Sequence, residues 1–192
     1  IDDAPFGGGG GMILKPEPLF DAIDASFNWM NSKKDIRVIY PSPLGEEWNQ
    51  KSAERLSMNG NIILICGHYK GIDERVIDQY VTDQFSIGDF IMTSGEIPAL
   101  IMMDSIARLI PGALNNLKSV MSDSFSHQLL DHPHYTTPRE FKNRSVPEVL
   151  LTGNHKYIDQ WRLENRESRT VNYRPDLWEK YIKIKESESE NG

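Results

Sequence analysis

Residues 61–71 read NIILICGHYKG. Five apolar residues, Ile62–Cys66, follow one asparagine and stop at Gly67. A run this short and unbroken predicts a strand covered on both faces, as in a parallel sheet. The same grammar occurs twice more. Ile36–Tyr40 (IRVIY) runs into Pro41-Ser42-Pro43-Leu44-Gly45, and the apolar stretch Phe85–Met92, interrupted by Gly-Asp, runs into Thr93-Ser94-Gly95-Glu96. Helical patterns lie between and beside these runs. Pro18–Met30 carries Leu19, Phe20, Ile23, Phe27 and Met30 at helical spacing. Trp48–Met58 reads as a polar surface helix ended by Asn59-Gly60-Asn61, and Asp73–Gln79 begins another. Pro98–Ile110 (PALIMMDSIARLI) is a strong helix with proline near its start, stopped by Pro111-Gly112. Helices alternating with short apolar strands specify an α/β fold with a mostly parallel sheet.

Beyond this core the pattern changes. Asn115–Asp123 (NNLKSVMSD) is polar and aperiodic and reads as a linker. The apolar clusters Val146–Leu151, Ile158–Leu163 and Leu177–Ile184 then predict a small helical domain, with the tail KESESENG solvated and frayed. At the other end, Ile1–Phe6 and five glycines resemble the interior of a domain more than its start, so an upstream segment is expected. The 192 residues are 39% hydrophobic and 26% charged, ordinary for a soluble domain. No apolar run approaches the roughly 18 residues that span a bilayer. The single cysteine, Cys66, excludes an internal disulfide, reads as a buried structural thiol and fits a reducing cytoplasm. Net charge is −7, which is unusual for a nucleic-acid binder. Positive charge nevertheless gathers late: residues 125–185 hold 11 basic and 8 acidic side chains, whereas residues 1–124 hold 10 and 17.

In open α/β sheets ligands lie beyond the carboxyl ends of strands. Three loops, Pro41–Gly45, Gly67–Gly71 and Thr93–Pro98, occupy such positions, and their small residues admit close backbone approach. They nominate one cleft. None is a GxGxxG fingerprint or a P-loop, which argues against a nucleotide-dependent oxidoreductase or a kinase.

Six segments in order then give a resemblance: GHYKGIDERV (67–76), SIGDFIMTSGEIPA (86–99), DSIARLIPG (104–112), SDSF (122–125), LLDHPHYTTP (129–138) and VPEVLLTGNHKYIDQWR (146–162). Together they resemble the bacterial tRNA (guanine-N1)-methyltransferases of the SPOUT superfamily, over nearly the whole chain. The resemblance implies a SPOUT-type parallel α/β sheet with a deep trefoil knot over residues 1–114, an interdomain linker at 115–124, and a small helical tRNA-binding domain at 125–192. It implies methylation of N1 of the guanine 3′-adjacent to the anticodon (position 37). It also implies an antiparallel homodimer in the cytoplasm, with tRNA as partner and neither DNA nor membrane.

By the same resemblance, S-adenosyl-L-methionine is held by Tyr40, Pro41, Ser42 and Pro43, by Gly67, His68, Tyr69 and Lys70, and by Ser86, Ile87, Gly88, Phe90, Met92, Ser94, Gly95 and Pro98. By pattern alone Ile87, Phe90 and Met92 are core residues. Asp123 is implied as the general base that takes the N1 proton; by pattern it is a helix N-cap. Arg108 is implied to stabilise charge on the guanine O6; by pattern it is a surface arginine paired with Asp104. Gly7–Gly11 and Met12 are expected to border the target base, which must leave its stack. The chain departs from common family residues at His68, Lys70 and Ser94. Many members have arginine, glutamate and glycine there, so Lys70 reverses a charge at the cofactor's methionine end.

Asp131-His132-Pro133-His134 offers two imidazoles and a carboxylate, but no second cluster completes a tetrahedral zinc site. The family's need for Mg²⁺ comes with no dedicated ligand cage here. Arg139, Lys142, Arg144, Lys156, Arg162, Arg166, Arg169 and Arg174 are candidate phosphate contacts.

Overall fold

A computed structural model of the chain describes residues 1–30, 35–113 and 123–190. The expected linker at 115–124 lies outside the described residues except for Asp123 and Ser124, as does the turn at Lys33-Lys34. The chain divides into two compact units, Ile1–Asn115 and Asn116–Gly192.

The first unit is built on three parallel strands in the order β4-β3-β5: β3 (Ile36–Glu47), β4 (Asn61–Leu64) and β5 (Asp83–Ser86). Strand pleating sends neighbouring residues of β3 to opposite faces. Val38 joins Leu14, Ile23, Ile65, Ile72 and Val76 on one side, where α1 (Pro16–Trp29) and α3 (Glu74–Tyr80) pack. Ile39 joins Ala53, Leu56, Phe85, Met102 and Ile106 on the other, beneath α2 (Gln50–Ser57) and α4 (Glu96–Ala107). The sheet is therefore covered on both faces, which is why its strands carry unbroken apolar runs. The caps are local: Asn49 accepts from Ser52 N–H at the start of α2, and Asp73 from Arg75 N–H at the start of α3. A two-residue antiparallel pair, β1 (Asp2–Asp3) with β2 (Ile13–Leu14), flanks the glycine loop.

Several boundaries differ from the sequence pattern for physical reasons. β3 does not end at Tyr40. It leaves pairing after Pro41 and rejoins β5 at Glu46 and Glu47, so Pro41–Gly45 is a bulge within the strand. A Cβ on Gly45 would overlap the Gln84 carbonyl carbon and the Phe85 amide, so only glycine lets the bulge close on β5. Trp48 is not on the surface helix: its N–H donates to Ser86 O (2.8 Å), its indole to Ser105 Oγ (3.1 Å), and its ring meets Phe85 edge-on. Of the stretch Phe85–Met92 only the start is strand, since Ile87–Met92 leave the sheet. Cys66 is half-buried, not buried, and burial raises its thiol pKa, with Glu96 adding to the shift.

The second unit contains α5 (His155–Tyr173) and α6 (Pro175–Glu190), a short hairpin of β6 (Glu140–Phe141) and β7 (Arg144–Ser145), and 3₁₀ turns at Ser126–Gln128 and Glu148–Leu151. Its buried apolar residues are few: Leu129, Ile158 and Leu177. The expected fraying of the tail is corrected as far as Glu190. α6 runs that far, and the Ser187 and Ser189 hydroxyls bond back to carbonyls one turn earlier.

Candidate functional site

The three strand-end loops of the first unit enclose one cleft of about 350 Å³. All sixteen residues nominated from the sequence line it, together with Gly71, Phe85, Ile91 and Thr93. Pairing distant in sequence brings the loops together. Gly95 N–H donates to Gly67 O at 2.7 Å, and His68 and Ser94 form an isolated antiparallel bridge. A Cβ on Gly95 would stand 2.7 Å from Gly67 N and 2.9 Å from Cys66 Cα, so the stitch between second and third loops requires glycine. The first loop is tied in through Tyr40, whose hydroxyl oxygen lies 3.1 Å from where a Cβ on either Gly67 or Gly71 would stand. Burial raises the Tyr40 phenol pKa, against a backbone hydrogen bond from Ile72 that lowers it.

The walls follow from the same geometry. Ile87 packs against the α2/α4 core and also faces the cleft. Phe90 is not core: it is 58% exposed, and Gly88 (φ +140°) makes room for its ring, since a Cβ there would meet Phe90 Cε1 at 2.6 Å. Ser86 Oγ accepts from Gly88 N–H and steadies that turn. Ser42 is buried and accepts from Leu44 N–H within the bulge.

The charged groups at the cleft come from the second and third loops. His68 Nε2 lies 2.6 Å from Glu96 Oε1, and bonds from Ser94 and then His68 hold the Glu96 carboxyl at about 2. The sequence did not single out Glu96; its i+2 spacing from Ser94 at a helix start was the available signal. Lys70 N–H donates to Met12 O (3.0 Å), and the Lys70 stem lies against Gly11. The glycine loop is thus anchored at Gly11 and Met12, whereas a Cβ at any of Gly7–Gly10 would meet open space.

Arg108 is half-buried at the C-terminal end of α4, its N–H donating to Asp104 O at 3.2 Å. Asp123 belongs to the second unit, half-buried, with its carbonyl accepting from Ser126 N–H. It does not open a helix, because Phe125 follows in the left-handed region (φ +74°). Several candidate phosphate contacts are engaged within the second unit. Arg166 donates to Ser126 O and Leu130 O, Arg169 to Asp131 O, Arg162 pairs with Asp159, and Arg174 with Asp176. Asp131, His132 and His134 bring their ligand atoms within 4.8 Å of one another, and among the described residues no fourth histidine, cysteine or carboxylate joins them.

A parallel sheet covered by helices, with loops at the strand ends closed round a partly apolar cleft, is the arrangement in which α/β proteins bind small ligands. The chain matches the family described as tRNA (Guanine-1)-methyltransferase TrmD over residues 1–180. It is 53% identical over 181 residues to a tRNA (guanine-N(1)-)-methyltransferase of Staphylococcus epidermidis, covering 94% of this chain and 72% of that protein. It is 52% identical over 180 residues to that of Clostridioides difficile (94% and 78%), and 49% identical over 181 to that of Listeria monocytogenes (94% and 74%). The chain belongs to the tRNA (guanine-1)-methyltransferase family, which is a family of enzymes.

Proposed function

We propose that the protein transfers a methyl group from S-adenosylmethionine to N1 of the guanine 3′-adjacent to the tRNA anticodon, position 37. The observation that carries the reading is the single cleft lined by all sixteen nominated residues, in a member of this family. Its fit to the cofactor rests on chemistry present there. The volume lies in the small-molecule range, Ile87, Phe90, Met92 and the prolines supply apolar walls, and Gly67 and Gly95 bare their backbone to a ligand. Bound there, S-adenosylmethionine supplies an electrophilic methyl group.

The rest is done by the chain. N1 of guanine must lose its proton before its lone pair can attack, and Asp123 is the carboxylate assigned to accept it. Arg108 offsets the negative charge that then develops on O6. The glycine loop, unobstructed over Gly7–Gly10, gives the extruded base room. In the same reading the backbone threads a trefoil knot at the stitched loops, and residues 125–192 form the tRNA-binding domain in a cytoplasmic enzyme. Among their cations, Arg139, Arg144 and Lys156 have no acidic partner among the described residues. A second copy of the chain completes the enzyme. α4 supports this: beyond its buried face, Ile97, Leu100, Ile101 and Met103 are each 44–59% exposed, as expected of a helix apolar all round that awaits a partner. A requirement for Mg²⁺ would be met without a protein cage. The one three-residue donor group among the described residues holds two imidazoles, whereas Mg²⁺ favours oxygen ligands.

The test is methyl transfer to tRNA transcripts with two adjacent guanines at the anticodon's 3′ edge, beside transcripts in which the second is adenine. Only the first should be methylated. Asp123→Ala should lower turnover by at least about a hundredfold while leaving S-adenosylhomocysteine affinity unchanged. A near-normal rate in that variant would remove Asp123 from the base role.

A further inference from the structure

The cleft lining contains two basic side chains, His68 and Lys70, and no carboxylate. The two are not equivalent. His68 is met from outside the lining by Glu96, 2.6 Å away. Lys70 has no acidic partner among the described residues. Its backbone is pinned to Met12 O, its neighbour Tyr69 takes the left-handed conformation (φ +58°), and its stem runs along Gly11, where a Cβ would stand 2.9 Å from Lys70 Cγ and 3.3 Å from Cε. Lys70 therefore brings to the cleft lining a cation with no acidic partner among the described residues.

An adenosyl amino-acid cofactor carries one anionic group, its α-carboxylate. Its ammonium and, in the methyl donor, its sulfonium would be repelled by a lysine. We infer that Lys70 binds the α-carboxylate of the cofactor's amino-acid end and makes the cleft selective for ligands that bear it. The inference rests on the adenosyl-cofactor reading and assigns within it the group that recognises the amino-acid moiety. The contact is a charge-assisted hydrogen bond in a cleft open to solvent, so it depends on salt.

Two ligands separate the inference from the reading beneath it: S-adenosylhomocysteine, which has the carboxylate, and 5′-methylthioadenosine, which keeps the adenosine and thioether without the amino acid. Their affinities are measured by calorimetry on the whole chain, for the parent, Lys70→Met and Lys70→Arg. Lys70→Met should weaken S-adenosylhomocysteine by about tenfold or more, leave 5′-methylthioadenosine within about twofold, and abolish most of the salt dependence of the former. Lys70→Arg should retain the parent's preference. Equal losses for both ligands, or no loss, would overturn the assignment while leaving the cofactor reading intact. If the parent binds neither compound, the cofactor reading falls and this inference with it.

Discussion

The two units of this chain solve the burial problem in different ways. The first builds two apolar layers on a covered parallel sheet and joins the loops lining its cleft by backbone contact, so glycine is demanded where their backbones meet. The second buries few large apolar side chains and relies on polar side chains that hold backbone. Thr170, fully buried, accepts from Leu130 N–H (2.8 Å) and donates to Arg166 O, while Arg166 and Arg169 donate to carbonyls of the 126–131 segment. The difference teaches that position in a polar pattern does not define exposure. A polar residue on a helix can be a structural clamp when the segment beside it has no strand or helix to satisfy its backbone.

The contrast can be tested by removing what each unit depends on. The largest effect should follow Phe85→Ala. Phe85 is 1% exposed, touches Trp48 and anchors β5, so its truncation should cost about 3–5 kcal/mol in denaturant unfolding. A loss below about 1 kcal/mol would mean that the apolar layer is not what holds the first unit. In the second unit, Thr170→Val keeps the volume and removes the hydrogen bonds. Leaving Leu130 N–H without its acceptor should cost about 1–3 kcal/mol, whereas Thr170→Ser should keep most of the stability. Equal stability of the valine and serine variants would show that Thr170 acts by packing alone.

The smallest effect is electrostatic and has a counterpart in each unit. Glu96, bonded by Ser94 and His68, and Asp176, bonded by Arg174, are both held at about 2, against ordinary values of 4.5 and 3.8. A lowered folded-state value stabilises the fold above the ordinary value and loses that contribution as pH falls through the lowered one. Glu96→Gln and Asp176→Asn should therefore each be less stable than the parent at neutral pH and converge with it as pH approaches 2. The effects are small because both carboxylates are solvent-accessible. A gap that persists unchanged in acid would assign the losses to something other than charge.

Much of the cleft was legible because its requirements are local. Proline, glycine and serine after an apolar run interrupt strand pairing, whether the strand ends there or only bulges, as β3 does at Pro41–Gly45. Glu96 escaped notice because its role depends on His68, 28 residues away, and the continuation of β3 to Glu47 because it depends on β5. Arg166 and Arg169 read as candidate phosphate contacts, since nothing in helical spacing reports an irregular segment packed alongside.

The sequence by itself determined the alternation of strands and helices, the two-sided burial of the sheet and the loops that line the cleft. Those follow from side-chain period, glycine and proline, which act within a few residues. Only the tertiary structure decided that Gly67 and Gly95 join backbone to backbone, that His68 meets Glu96 while Lys70 has no acidic partner among the described residues, and which arginines are spent on carbonyls. These outcomes depend on contacts between residues far apart in the chain, and a hydrogen bond or ion pair forms only when folding brings both partners to within a few ångströms.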